Sequence, residues 1–232
     1  MAAMSGTYPK AAASILVSLA CLAPSQARAQ SADAMAGDYC LVGVMEVGSC
    51  LRLSPGGRFE YFLAYGAYDE KSEGTWRWES GEVVLDSPAY DRRPTFAFKR
   101  MQPGDAGTFD VIVETKSGRS LAGIDVDVTC DGATERAGMT QEASFAIRCK
   151  SAPTSLALGL RMFDVAPQAI DVADRAGSGN VYVFEFEPGD LGRKAFAAHR
   201  MRPDGADTLA MIYRGSPIPE LEGRTFRYVR SR

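Results

Sequence analysis

From Asp38 onward, apolar and polar residues alternate with a period of two, and Gly, Pro and Asp interrupt the alternation every few positions. No long stretch repeats apolar residues at positions i, i+3, i+4 and i+7. The alternation is typical of half-buried β-strands, whereas the helical spacing would indicate amphipathic helices. The pattern therefore predicts an all-β protein with strands at residues 39–45, 49–53, 58–65, 75–78, 83–86, 95–101, 108–115, 124–130, 144–149, 156–162, 181–187, 195–202, 208–214 and 225–230.

The first thirty residues follow a different pattern. Lys10 precedes an apolar run at residues 11–23, and the tripeptide Ala27-Arg28-Ala29 follows it. The run is about 13 residues long, whereas a membrane-spanning helix needs about 20. This arrangement predicts a signal peptide at residues 1–29, cleaved after Ala29, and a periplasmic or secreted protein with no integral membrane segment.

The cysteines fit an exported protein. Cleavage would remove one of five and leave Cys40, Cys50, Cys130 and Cys149. An even number of cysteines in an exported chain indicates disulfides, and four cysteines allow three pairings. Each close pair brackets one predicted hairpin, so we expect the local bridges Cys40–Cys50 and Cys130–Cys149. Because there is no C-x-x-C spacing and no histidine pair, we expect no metal site.

The segment VETKSGRSLAGIDVDVTCDGATERAGMTQEASFAI, residues 113–147, differs in character from its surroundings. A G-x-x-L-x-G turn is followed by an alternating strand and a Thr-containing turn, marked by Gly118, Leu121, Gly123, Val126, Val128, Thr140 and Phe145. This segment resembles the transthyretin-like or carboxypeptidase-regulatory-like β-sandwich. The resemblance implies an Ig-like structural or interaction module without catalytic residues.

Gly37-Asp38-Tyr39 and the arginines of the last predicted strand mark the two flanking parts of the chain. The tripeptide is similar to the G-x-W motif that opens lipocalin-like (calycin) barrels, with Tyr in the place of Trp. Arg227 or Arg230 would then take the place of the arginine that covers this aromatic ring. The resemblance implies a barrel-like unit of residues 30–109 and 180–232, with the sandwich inserted as residues 110–179.

Charge and motifs narrow the range of partners. The chain carries 26 basic and 29 acidic residues, a net charge of −3, and the basic residues are not clustered. Nucleic-acid binding needs clustered Lys and Arg, so we expect no nucleic-acid partner. No G-x-G-x-x-G or G-K-[ST] motif follows a predicted strand, and we expect no cofactor.

Candidate catalytic residues are few. His199 is the only histidine, and it lies in an alternating strand of a chain without a G-x-S-x-G motif. We interpret it as a partly exposed strand residue and not as a general base. Asp69, Glu70 and Glu73 fall in a predicted hairpin turn. Such carboxylates usually belong to a solvated turn, although a glycosidase needs two carboxylates of this kind.

Aromatic residues are dense beside this turn. Tyr61 and Tyr65 lie on the strand before it, and Trp76 and Trp78 share one face of the strand after it. They form either the barrel core or the lining of a cavity for a small apolar or sugar-like ligand. The sequence favours an exported, non-enzymatic binding or interaction protein with these four residues in the ligand site. The alternatives are a hydrolase that acts on envelope glycan through the turn carboxylates and a structural docking module for an envelope protein.

Overall fold

The computed structural model describes residues 34–141, 144–175 and 179–231, so the predicted signal peptide lies outside the described residues. Sixteen strands lie within these ranges, and the all-β prediction is confirmed. The strands are β1 Gly37–Val42, β2 Val47–Ser54, β3 Arg58–Tyr65, β4 Tyr68–Glu79, β5 Glu82–Asp86, β6 Thr95–Gln102, β7 Phe109–Thr115, β8 Asp125–Cys130, β9 Ala133–Met139, β10 Phe145–Ile147, β11 Ser155–Leu160, β12 Val165–Asp171, β13 Val181–Glu187, β14 His199–Pro203, β15 Thr208–Ile212 and β16 Thr225–Arg230.

Eight of these strands close into a barrel. Their order is β1-β16-β15-β14-β5-β4-β3-β2, and neighbouring strands are antiparallel. Alternate side chains point inward, as Phe59, Tyr61 and Leu63 of β3 do, and they fill the interior. The closed barrel confirms the predicted fold class and is compatible with a lipocalin-like barrel.

The barrel closes where β1 pairs with β16, and the register places Tyr39 opposite Arg230. The Arg230 guanidinium lies 5.1 Å from the centroid of the Tyr39 ring, and its Nε donates a hydrogen bond to the Tyr39 hydroxyl at 3.1 Å. Arg227 instead lies 2.7 Å from the carboxylate of Asp204. Of the two arginines that the sequence left open, Arg230 is therefore the one that covers the aromatic ring.

Both predicted disulfides are confirmed. Cys40–Cys50 joins β1 to β2, where the strand register places the two cysteines opposite each other. Cys130–Cys149 joins the end of β8 to the chain after β10. The two bridges span 10 and 19 positions of sequence, so each restrains a local part of the chain.

The remaining eight strands form a sandwich of two four-stranded sheets. One sheet has the order β10-β7-β13-β6, with β7 and β13 parallel, and the other has the order β12-β11-β8-β9. Their facing side chains form a second core that includes Val111, Val126, Leu156 and Phe184. Because β6 and β13 pair within this sandwich, the chain passes between barrel and sandwich after β5 and after β13, outside the predicted limits 110 and 179.

Three stretches of strand differ from the prediction. β9 is an edge strand that is exposed along most of its length, so it shows no apolar alternation. β12 is also an edge strand, and this position tolerates Pro167 because one side of the backbone needs no strand partner. β4 begins at Tyr68 and not near Thr75, because several of its buried inward positions are polar or glycine and hide the apolar signal.

The chain leaves the barrel after β5 and returns before β14 at the same end. The Ser87 amide donates to the Phe196 carbonyl at 2.8 Å, and the Ala198 amide donates to Asp86 Oδ1 at 2.6 Å. Because strand directions alternate, the β3–β4 turn and the residues after β15 lie at this end too. We call this end the mouth, and we call the opposite end, where Arg230 covers Tyr39, the base.

Candidate functional site

The four aromatic residues predicted to bind a ligand lie at different depths of the barrel. Trp76 is buried toward the base, and its Nε1 donates to the Ser54 carbonyl at 2.9 Å. Trp78 and Tyr65 are partly buried and pack against the barrel core. Tyr61 is buried farther toward the mouth and is the one of the four that donates to an interior carboxylate.

The acidic residues that we expected in a turn belong to β4. Asp69 and Glu73 lie on its exposed outer face, where Glu73 is 3.5 Å from Arg193. Glu70 points into the barrel and is 4% exposed. The expectation of a solvated turn is therefore wrong for this segment, because the strand alternation turns Glu70 inward while its neighbours face solvent.

Three phenol groups surround the Glu70 carboxylate. Tyr61 and Tyr213 donate to Oε1 at 3.0 and 2.6 Å, and Tyr68 donates to Oε2 at 2.8 Å. The amine of Lys194 lies 3.8 Å from Oε2. We call Glu70, these three tyrosines and Lys194 the Glu70 cluster. It places a charged carboxylate with several hydrogen bonds inside the barrel, which is how a buried charge is tolerated.

Lys194 is placed by the segment that returns from the sandwich. This segment runs beside β4, where the Lys71 amide donates to the Gly192 carbonyl at 2.8 Å and the Lys194 amide donates to the Lys71 carbonyl at 2.9 Å. The Lys194 side chain then enters the mouth and is 7% exposed as a residue. No sequence motif marks this lysine, because its partners come from parts of the chain that are distant in sequence.

The ammonium group of Lys194 has several close neighbours besides Glu70. Its Nζ lies 4.2 Å from the centroid of the Tyr213 ring and donates hydrogen bonds to the carbonyls of Arg214 and Gly215. Burial lowers the pKa of Lys194, and the charge of Glu70 opposes this effect. Three separate segments, namely β4, the returning segment and the loop after β15, therefore converge on one amine.

The phenols of the Glu70 cluster are neutral hydrogen-bond donors at neutral pH. Burial, and then the charge of Glu70, raise the pKa of Tyr68 and Tyr213 above the range of a free tyrosine. Burial also raises the pKa of Tyr61. A neutral phenol has a single O–H to donate, and each of the three is directed at the carboxylate. The cluster is thus organised around a negative charge.

A cavity of about 770 Å³ opens at the mouth between the barrel and the sandwich. Glu70, Tyr68 and Lys194 form part of its wall, together with Tyr90 and Phe163. The Phe163 ring belongs to a 3₁₀ turn of the sandwich, and its centroid lies 5.2 Å from that of Tyr68. The cavity combines aromatic surfaces with a few charged groups, as sites for small molecules do. We call it the mouth cavity.

Contacts at the rim of the mouth cavity hold the two crossing segments together. Arg92 Nη2 lies 2.6 Å from Asp190 Oδ1, and the Arg92 amide donates to the same carboxylate at 3.0 Å. The Arg193 guanidinium lies 5.7 Å from the centroid of the Tyr90 ring. These contacts join the segment that leaves the barrel to the one that returns, so Tyr90 is positioned beside the opening.

Among the described residues, two buried polar atoms of the barrel have no hydrogen-bond partner, Ser72 Oγ and His199 Nε2. Burial lowers the pKa of His199, and the charge of Lys194 lowers it further. The ring of His199 packs against Phe196, with centroids 5.1 Å apart. His199 is therefore a neutral ring packed in the barrel at pH 7.

The free energy of unfolding is expected to fall as the pH decreases from about 7 to 5 because of His199. Its pKa is lowered in the folded state, whereas the unfolded chain titrates at about 6.5 and binds the proton first. The contribution of neutral His199 to the free energy of unfolding is complete above about pH 6.5. It is lost as the pH falls toward the pKa of His199 in the folded state. One proton limits the slope to about 1.4 kcal/mol per pH unit.

Urea unfolding across this pH range measures the slope, and His199→Gln is the variant that removes it. The chain has no other histidine. Glu114 makes the free energy of unfolding depend on pH at lower pH values, because hydrogen bonds from Arg100 and Lys99 lower its pKa from 4.5 to about 2. An unchanged slope between about pH 5 and 7 in the variant would show that another group titrates there.

Comparisons with known proteins do not identify a function for this chain, and neither does a metal site or a membrane-spanning helix in its described residues. Among the described residues, no group of three or more His, Cys, Asp or Glu side chains is arranged to hold a metal ion. The described ranges also contain no helix with the length and apolar character needed to cross a membrane. Comparisons with protein-family models, curated proteins and solved structures find no match.

Proposed function

We propose that this chain is an exported, non-enzymatic binding protein that holds a small sugar-like ligand in the mouth cavity. The observation that carries the proposal is a cavity wall in which Tyr68, Tyr90 and Phe163 lie beside Glu70 and charged rim residues. Sugars present apolar C–H faces and many hydroxyl groups. A site for them therefore needs both aromatic surface and fixed hydrogen-bonding groups.

This proposal places the ligand farther from Trp76 and Trp78 than the sequence indicated. Trp76 uses its N–H on the backbone of Ser54 near the base, and the cavity wall does not include either indole. The charged wall also favours a sugar-like ligand over an apolar one, since an apolar ligand would leave charged groups unpaired. The glycan-hydrolase alternative has less support, because Asp69 and Glu73 lie on the outer face of β4.

The disulfides support the proposed export. Disulfides form and persist in oxidising compartments such as the periplasm, and both cysteine pairs are bridged. A signal peptide at residues 1–29 would direct the chain there.

We further propose that the barrel is lipocalin-like, with support from its closed order of eight strands and from Arg230 over Tyr39.

Titration with a panel of mono- and disaccharides is expected to raise the melting temperature of the full chain, because a ligand that binds the folded state stabilises it. Tyr90→Ala should weaken the binding about tenfold, which corresponds to ~1.4 kcal/mol. Trp78→Phe is the matched aromatic control toward the base and should leave the affinity unchanged. Calorimetric titration of the unchanged chain and of the two variants measures the affinities, and thermal unfolding with and without saccharide measures the change in melting temperature.

A different binding result would place the ligand site outside the mouth cavity. Saturable binding of a fatty acid that Trp78→Phe weakens and Tyr90→Ala does not would place the ligand in the barrel interior. No binding of any saccharide at millimolar concentration would contradict the proposal and would favour the alternative of a structural docking module.

A further inference from the structure

The mouth cavity contains a primary amine in an unusual position. The Lys194 side chain is 6% exposed, yet it forms part of the cavity wall beside Glu70 and Tyr68. Molecules that enter the cavity therefore meet this amine next to a carboxylate and a phenol. A lysine that reacts with a carbonyl compound needs a nearby group that takes up a proton and later returns it, and the Glu70 carboxylate can do both.

The immediate contacts of Nζ are compatible with a neutral amine. The carbonyls of Arg214 and Gly215 accept two N–H groups, so loss of the third proton leaves the lone pair free. The nearest carboxylate oxygen, Glu70 Oε2, is 3.8 Å away, slightly beyond hydrogen-bond distance. Burial favours the neutral form of the amine, as it does for other desolvated lysines.

The other described lysines lie in different surroundings. Lys99 lies 2.8 Å from Glu114 and 2.9 Å from Glu185, and these hydrogen bonds raise its pKa. Lys71, Lys116 and Lys150 are exposed to solvent. Lys194 is therefore the only buried lysine among the described residues.

We propose that Lys194 forms an imine with small aldehydes and ketones, including the open-chain form of a reducing sugar, that enter the mouth cavity. This inference rests on the proposed function and deepens it, because it assigns a class of covalently bound ligand to the same cavity. A lysine beside a carboxylate and a phenol in a partly closed cavity is the observation on which it depends.

The reaction balances without a further reagent. Glu70 takes a proton from the ammonium group, and the Nζ lone pair then forms a bond to the carbonyl carbon as the C=O π bond breaks toward oxygen. One of the two remaining protons on this nitrogen moves to that oxygen, giving a neutral carbinolamine. Glu70 returns its proton to this hydroxyl, the C–O bond breaks and water leaves. The product is a protonated imine whose positive charge faces the Glu70 carboxylate, so the net charge is unchanged.

The test is reductive trapping of the full chain with glycolaldehyde and sodium cyanoborohydride at neutral pH, followed by peptide mass spectrometry. Lys194 is expected to be modified several-fold faster than Lys116 and Lys150, because burial lowers its pKa and so increases its fraction of neutral amine, and because Glu70 lies beside it. The exposed lysines are controls within the same molecule, so the comparison needs no variant. Lys194→Arg should lose this modification while the exposed lysines react as before.

Two outcomes would overturn the inference. One is modification of Lys194 at the same rate as the exposed lysines or more slowly. The other is a preference for Lys194 that persists in urea, since unfolding removes the cavity. A methyl glycoside, which has no free aldehyde, separates the two proposals: its binding without trapping of glycolaldehyde would reject imine formation alone, and trapping without saccharide binding would reject the sugar site alone.

Discussion

Glu70→Gln is expected to lower the free energy of unfolding by about 3–5 kcal/mol, because removal of one partner of a buried ion pair leaves the other charge uncompensated. In this protein the remaining charge is the ammonium of Lys194. The amide also brings its own N–H donors to a place where Tyr61, Tyr68 and Tyr213 already donate. One of these donors then has no acceptor, which adds to the loss.

Glu73→Gln provides the control for this prediction. The same substitution is made on the same strand, but the side chain lies on the exposed face with Arg193 at 3.5 Å. An exposed ion pair of this kind contributes little, and we expect a change within about 0.5 kcal/mol. Urea denaturation at pH 7 measures both variants. Equal losses would mean that Glu70 carries no buried charge.

Gly74→Ala is expected to destabilise the protein by about 3 kcal/mol, at the upper end of the range for overpacked sites. A Cβ at this position would collide with the Asp86 carbonyl and lie 2.8 Å from the Phe59 ring. Gly74 lies next to Thr75, where the pairing of β4 passes from β3 to β5. Backbone on one side and a packed ring on the other leave no room for relaxation.

Gly48→Ala is the matched control, because Gly48 is also a strand glycine but has open space around its Cβ direction. Alanine there is expected to be neutral or to stabilise by about 0.5 kcal/mol, since it restricts the unfolded chain. Thermal and urea unfolding of both variants test the prediction. A loss at Gly48 as large as that at Gly74 would point to glycine flexibility and not to close packing.

Much of the barrel could be predicted from the sequence because most of its inward positions are apolar. β3 is an example, since Phe59, Tyr61 and Leu63 alternate with exposed residues and its bounds agree with the prediction. The disulfides were predictable because each pair is close in sequence, although only Cys40–Cys50 closes a hairpin, whereas Cys130–Cys149 joins the end of β8 to the chain after β10. Local periodicity and spacing are present in the sequence before folding.

The candidate site could be predicted only in part. Tyr61 lies on a recognisable strand, but Glu70 occupies an inward position where an apolar residue is expected, so its strand was interpreted as a turn. A stricter test of period two along β4 could have found it. Lys194 and Tyr213 join the cluster through pairings between distant segments, and no local pattern records such contacts.

The point where the barrel is interrupted has a consequence for how the protein folds. Leu85 of β5 must pair with His199 of β14, and the whole sandwich lies between them in sequence. Closing so long a loop is slow unless the intervening chain is already compact. A folded sandwich brings Ser87 within 2.8 Å of Phe196 and makes β14 a near neighbour of β5. We therefore expect the sandwich to fold first and the barrel to close last, with the edge of β5 unpaired and open to aggregation in the interval.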